Sequence, residues 1–121
     1  RDPACSAIAE LAEPRGADEI MTDCLACGRS ADAMRTEQRL RLGMRYFSLR
    51  RDGRVIAGTW AIRGGERFLD ESMLAFDLDM QSASLRDVFV HPADRGTGAF
   101  AQLIDAVQSG PLRGIDGLWS F

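Results

Sequence analysis

Arg95-Gly96-Thr97-Gly98 is the stretch of this sequence whose residue types and spacing most directly suit chemistry. Its glycines let the backbone adopt positive φ and let an anion approach without meeting a Cβ. Arg95 adds a permanent charge and a planar fork of donors. Ala99 to Val107 follows with helical periodicity, so the turn ends where the first N–H groups of a helix lack intrahelical partners and the positive end of its dipole lies. That combination is a seat for phosphate. The plainer reading is a tight strand-to-helix connection with a solvated arginine at its edge, because short glycine motifs recur by chance.

Cys24-x-x-Cys27 has the spacing of zinc sites and redox motifs. A zinc site needs about four ligands, whereas the chain adds only Cys5 and its single histidine, His91. A redox motif belongs after a strand in a thioredoxin-like setting, and this pair falls in a helical segment. The expectation is two cysteines on one helix face. With only three cysteines in the chain, no disulfide scaffold is expected.

The glycine turn is positioned by the elements on either side of it. Val88, Phe89 and Val90 form a short β-branched and aromatic run that Pro92 stops, and a helix restarts at Ala99. The string Val90-x-Pro92-x-x-Arg95-Gly96-x-Gly98, with Leu103 in the helix that follows, resembles the acetyl-CoA-binding core of the GCN5-related N-acetyltransferase (GNAT) family. The resemblance implies an α/β (α+β) fold, the GNAT-like acyl-CoA N-acyltransferase fold, in which a central mixed, mostly antiparallel sheet is flanked by helices. It implies acetyl-CoA as cosubstrate. Val88, Phe89 and Val90 would line the pantetheine arm, and Arg95, Gly96, Thr97, Gly98, Ala99 and Phe100 would form the pyrophosphate turn. Phe100 departs from the family pattern, which has a small residue there, so its ring either crowds the pyrophosphate or turns into the core.

Acetyl transfer to an amine needs a base for the ammonium proton, often through water. Asp70, Glu71 and Asp87 stand before or on the central strand, and Asp87 and Glu71 are taken as the catalytic candidates. The alternative for each is an ordinary surface carboxylate, and Asp77 and Asp79 read as loop solvation. The implied partner is a small-molecule or peptide amine.

At 121 residues and 45% hydrophobic content, the chain suits one domain spanning 1–121 and is too short for two. A net charge of −3 offers no footprint for nucleic acid. No apolar run is long enough to span a bilayer, and Arg1-Asp2-Pro3 opens no signal core, so a cytoplasmic protein is expected. The missing initiator methionine marks a processed, trimmed or partial chain.

Asp2-Pro3 is expected to start a helix with Ile8 and Leu11 on its apolar stripe and Pro14 closing it, where the family has its first strand. Asp18 is expected to cap a second helix through Ile20, Met21, Cys24, Leu25 and Cys27, with Gly28 as its stop. Ser30 is expected to cap a third from Ala31 to Leu42, with Met34, Gln38 and Leu42 sharing one face and Arg35, Glu37, Arg39 and Arg41 in water. Tyr46–Arg50 and Arg54–Ile62 read as a hairpin around Arg51-Asp52-Gly53. Its second strand carries apolar residues on both faces and is read as interior, with Gly58 marking a bulge or a close backbone approach.

Gly64-Gly65 reads as another turn, and Arg67 to Ser84 yields no assigned element. Phe100, Leu103, Ile104 and Val107 form a helical stripe that Gly110-Pro111 ends. Leu118 to Phe121 resembles the family's next strand, parallel to the first through a right-handed crossover. The family's later helix, with its tyrosine proton donor, and its closing hairpin are not in this sequence, whose only tyrosine is Tyr46. The expectation is a GNAT-like domain truncated at both ends, or a sheet completed by another chain such as a homodimer partner. The leading reading is an N-acetyltransferase, with a non-catalytic acyl-CoA-binding module as the alternative and a thiol or metal protein third.

Overall fold

The computed structural model describes residues 9–63, 67–69, 75–77, 82–113 and 117–120. In chain order they form β1 (Glu10–Ala12), α1 (Ala17–Ala26), α2 (Ala33–Arg41), β2 (Arg45–Arg51), β3 (Arg54–Arg63), β4 (Arg67–Leu69), β5 (Ala75–Asp77), β6 (Ser82–Val90), α3 (Ala99–Ser109) and β7 (Gly117–Ser120). A single 3-10 turn, Pro92–Asp94, lies between β6 and α3.

The hairpin of β2 and β3 is the local nucleus of the sheet. Asp52 and Gly53 both hold positive φ, at 54° and 77°, which is what a two-residue turn needs to match the strand twist. Strands then add outward in the order β1-β2-β3-β6-β7. All pairs are antiparallel except β6 with β7. That parallel pair needs a crossover, which α3 supplies. β4 and β5 form a separate two-stranded ladder, in the stretch where the sequence assigned no element.

β3 is interior, as its two apolar faces predict. Ala57 and Ala61 pack with Phe47, Leu85, Leu103 and Val107 under α3. Trp60 and Ile62 pack with Ile20, Cys27, Tyr46 and Phe89 on the side of α1. Each fully buried leucine or valine in these layers contributes about 1.5–3 kcal/mol of transfer free energy.

Several expectations are corrected here. Leu11 lies in β1, not in a helix, and β1 pairs with β2 from Glu10↔Arg50 to Ala12↔Ser48. The first strand of the sheet is therefore present. So short a strand shows no period of its own. It is held by pairing, by Leu11 against the α3-side core, and by Arg45, which donates Nε and Nη2 to the Glu13 carboxylate at 2.8 Å each. Residues 1–8, and with them Asp2, Pro3 and Cys5, lie outside the described residues.

α1 begins after Gly16, which makes no side-chain cap, so Asp18 sits in the first turn and not at the cap. Gly28, at φ 77°, follows its end. Within α1, Leu25 faces solvent; Ile20 and Asp23 are buried in the helix and Cys27 is buried just past its end. α2 is capped by Asp32, not Ser30: the Asp32 carboxylate accepts the Arg35 N–H at 3.1 Å.

The buried face of α2 is also not the expected one. Met34 is 80% exposed, whereas Arg39 is only 3% exposed and Thr36 is buried. The inward face combines a charge pairing with β6, described below, with Leu40 and Leu42, which pack against the α1-side core. Phe100 likewise stays outside the core, at 51% exposure, and Ala99, Leu103 and Val107 form the buried stripe of α3.

Candidate functional site

The spacing of core residues along β6 carries the geometry of the site. Ala83, Leu85, Val88 and Val90 all pack toward α3, yet a regular strand would alternate every second residue. The extra residue between Leu85 and Val88 is a β-bulge. β3 and β6 pair in register at Gly58↔Phe89 and again at Trp60↔Arg86, with the shift between. Thr59 faces the bulge, with its hydroxyl 2.9 Å from the Trp60 carbonyl and 3.4 Å from that of Arg86. Asp87 takes positive φ, 54°, a conformation that costs a non-glycine residue and clusters at functional sites.

Beyond the bulge, the His91 N–H donates to the Ile56 carbonyl at 2.7 Å. Antiparallel alternation then turns the peptide groups of Phe89 toward β3 and those of Val88 and Val90 away from it. On that far side β7 pairs with β6 only from Ser82↔Gly117 to Leu85↔Ser120. Arg86 to Val90 therefore present a backbone edge with no strand partner among the described residues.

That edge runs into the glycine turn. The His91 Nδ1 accepts the Ala93 N–H at 3.0 Å, closing the 3-10 turn. Asp94, 5% exposed, is its anchor. Arg54 on β3 donates Nη1 to Oδ2 at 2.7 Å and Nη2 to Oδ1 at 3.3 Å, and Arg51 and His91 stand at 3.8 Å. The hydrogen bond from Arg54 is the main cause that holds the Asp94 carboxyl below the usual aspartate range. The Asp94 carbonyl in turn accepts the Thr97 hydroxyl and the Thr97 N–H.

Gly96 and Gly98 hold φ of 82° and 86°. No heavy atom lies within 4 Å of where a Cβ on either would stand. The space a side chain would fill is thus left open over the α3 N-terminus. Gly98 caps α3 without a side-chain bond, so the N–H groups of Ala99, Phe100 and Ala101 lack intrahelical partners. The first intrahelical bond is Gln102 N–H to the Gly98 carbonyl, 3.0 Å. Arg95 is exposed beside them. The residues present fit a pyrophosphate: open space, oriented amides and an exposed guanidinium.

On the opposite face of β6, between α1, α2 and the sheet, lies a pocket of about 120 Å³. Trp60 and Phe89 supply its apolar wall, and Arg29, Asp32, Arg35, Arg39 and Asp87 its charges. Arg39 Nη2 meets Asp87 Oδ2 at 2.8 Å, and its guanidinium lies 5.5 Å from the Trp60 ring centroid. Gly58 leaves room for this wall: a Cβ there would stand 2.5 Å from Phe89 Cζ and 2.7 Å from Tyr46 Oη. The expected close approach at Gly58 is therefore present, as is the bulge beside it.

Tyr46 is buried, and its hydroxyl donates to Asp23 Oδ2 at 3.2 Å. Burial raises its pKa. Arg50 Nη2 reaches both oxygens of Asp23, at 2.9 and 2.8 Å. This phenol holds α1 on the sheet and has no route to a leaving group. Cys24 borders the pocket and Cys27 is buried behind it. Burial raises both thiols, Cys27 to about 11, and neither forms a disulfide. No group of three metal-ligating side chains exists among the described residues, and no helix among them is long and apolar enough to cross a membrane.

Of the residues singled out in the sequence, Val88, Phe89, Val90 and Arg95 to Phe100 form one continuous run from open strand edge to helix N-terminus. The Phe89 side chain leaves that run for the pocket face. Asp87 borders the pocket, whereas Asp70 and Glu71 lie outside the described residues. Sequence reasoning missed Asp94, Arg54, Arg39 and Trp60, whose roles depend on contacts between distant segments.

The fold these elements make is that of the GCN5-related N-acetyltransferases. A ribosomal-protein-alanine N-acetyltransferase from Brucella melitensis biovar Abortus 2308 matches with a TM-score of 0.62 and 19% identity, over 93% of this chain and 79% of that one. AAC(6')-Iy, an aminoglycoside N-acetyltransferase seen with a CoA-based bisubstrate analogue, matches at 0.60 and 21%, over 95% and 80%. A Trypanosoma brucei acetyltransferase matches at 0.58 and 16%, over 94% and 82%. No family model and no curated protein sequence matches the chain.

Proposed function

We propose that the protein is an acyl-CoA-dependent N-acetyltransferase that moves an acetyl group from acetyl-CoA to a small-molecule or peptide amine by direct attack. The observation that carries this reading is the bulge at Asp87. It turns Val88 and Val90 to an open strand edge that leads straight into the Gly96–Gly98 turn, and it brings a carboxylate to a pocket on the other face. The solved acetyltransferases that share the fold support the same reading.

Acetyl-CoA supplies an activated thioester. The peptide groups of Val88 and Val90 would hold the pantetheine arm along β6, and an N–H on the open edge would polarise the thioester carbonyl. The amides of Ala99 to Ala101, with Arg95, would hold the pyrophosphate. The amine nitrogen then forms a C–N bond to the carbonyl carbon as the C–S bond breaks. The amine proton goes to Asp87, directly or through water, and the sulfur leaves as thiolate. Arg39 fixes the Asp87 carboxylate at 2.8 Å. The enzyme mainly positions the reactants and excludes water from them.

The second reading is a non-catalytic acyl-CoA-binding module. Tyr46 is buried and bonded to Asp23, so it does not serve as a donor to the thiolate. Calorimetric titration of acetyl-CoA into the protein, with Arg95→Ala and Gly98→Val alongside, tests both readings. Binding that weakens in Arg95→Ala and is lost in Gly98→Val supports the pyrophosphate turn, and CoA release with an amine panel then separates enzyme from module. Unchanged binding in Gly98→Val would refute the turn.

A further inference from the structure

We propose that the acceptor amine carries an oxyanion, a carboxylate or a phosphate, which Arg35 and Arg29 receive at the mouth of the pocket. The inference rests on the acetyltransferase reading above and deepens it. It follows from how the charges lining the pocket are already committed. Arg39 and Asp87 neutralise one another at 2.8 Å. Asp32 is occupied as the α2 cap, accepting the Arg35 N–H at 3.1 Å and lying at the positive end of the helix dipole.

Arg29 and Arg35 remain. Both are exposed, both border the pocket, and neither makes a salt bridge to a described residue. The rim therefore carries positive charge in a chain whose net charge is −3. Arg29 is oriented besides: its guanidinium lies over the Phe89 ring, 5.8 Å from the centroid, which leaves its fork of donors available for a planar anion.

The spacing sets the ligand. Arg35 precedes Arg39 by four residues, about 6 Å along the axis, and Arg39 holds the Asp87 that faces the reacting amine. An acceptor that reaches both would carry its amine and its anion about one turn apart, more than an α-amino acid spans. The pocket is small, about 120 Å³, so it suits a short linear molecule. γ-Aminobutyrate and O-phosphoethanolamine have that shape, and n-butylamine and ethanolamine are their uncharged-tail counterparts. A polycationic acceptor such as an aminoglycoside meets like charge at the rim.

The test measures acetyl-CoA binding first, then binding of each amine by calorimetry and turnover by CoA release. Wild type should bind and acetylate the anionic amines with at least a tenfold advantage over their counterparts, and the two anionic amines tell carboxylate from phosphate. Arg29→Gln/Arg35→Gln should erase that advantage while leaving the acetyl-CoA Kd unchanged, and Arg35→Lys should restore part of it. If acetyl-CoA binds but neutral or polycationic amines do as well as anionic ones, the anion site is refuted and the acetyltransferase reading stands. If acetyl-CoA does not bind, the reading fails and this inference falls with it.

Discussion

Gly58→Ala places a methyl group into the joint between the sheet and the pocket. Its Cβ would lie 2.5 Å from Phe89 Cζ, 2.8 Å from Phe89 Cε2 and 2.7 Å from Tyr46 Oη, against ordinary carbon contacts of about 3.5–4.0 Å. Something must move. Tyr46 is tied to Asp23, whose two oxygens both accept from Arg50 Nη2, and its ring is edge-on to Trp60 at 5.5 Å. Phe89 has the pocket beside it, so Phe89 should swing into that space.

Overpacking of this kind costs about 1–3 kcal/mol. For a chain of 121 residues the entropy of unfolding is about 0.25 kcal/mol/K, so Tm should fall by about 4–12 °C. Scanning calorimetry reads this directly. Removing the ring should relieve the clash, so Gly58→Ala/Phe89→Leu should be less destabilised than the sum of its parts by about 1–2 kcal/mol. Because the displaced ring fills the pocket and not the glycine turn, the acceptor KM should rise about tenfold while the acetyl-CoA Kd holds. A Tm unchanged within about 1 °C, or strictly additive variants, would refute the close approach. A weakened acetyl-CoA Kd with normal acceptor KM would refute the placement of the two ligands on opposite faces of β6.

Other expectations follow from single contacts. Asp94→Asn should cost about 1–3 kcal/mol at neutral pH and weaken acetyl-CoA binding through the loosened turn. The folded Asp94 pKa is lowered, mainly by Arg54, so its stabilisation is full above the ordinary aspartate value near 3.9 and is lost as pH falls through the folded value. Wild type and Asp94→Asn should therefore converge in Tm toward low pH, and parallel curves would refute the pairing. Phe100→Ala should leave stability within about 0.5 kcal/mol, since the ring is exposed, and should tighten acetyl-CoA about three- to tenfold, roughly 0.7–1.4 kcal/mol, by uncrowding the amides. Asp87→Asn should cost about 3–5 kcal/mol because it leaves the buried Arg39 guanidinium without its carboxylate, whereas Arg39→Met leaves only the half-exposed Asp87 and should keep Tm nearly unchanged alone or combined with Asp87→Asn; thermal melts of the single and double variants decide this.

Some of this structure could be read in advance because it depends on residues close in sequence. Asp52-Gly53 demands a two-residue hairpin turn, and Gly96-x-Gly98 before an apolar stripe demands an open loop at a helix start. β1 could not be read, since its three residues become a strand only through β2. The inward face of α2 was misread because Arg39 looks like a solvated residue until Asp87 and Trp60 are brought to it from β6 and β3. Asp94 lies inside the recognised string yet gave no sign of its role, which Arg54 supplies from forty positions away. The bulge was legible in principle: apolar residues at 83, 85, 88 and 90 break the strand period once, at Asp87.

That single break explains why the two halves of the site coexist. With regular alternation Val88 would face α1 and Phe89 would face α3, and no carboxylate would leave the strand toward α2. One inserted residue keeps Leu85, Val88 and Val90 on the α3 core and sends Phe89 to the other core, so both layers stay filled. The β7 ladder ends at Leu85, just before the bulge, and among the described residues the peptide groups of Val88 and Val90 are left free on that side. The buried guanidinium of Arg39 is the cost of that arrangement. A desolvated charge adds little to stability even when paired, and an apolar side chain there would pack against Trp60 equally well. Its place beside a strained Asp87 therefore fits the proposed acceptor site better than a purely structural role.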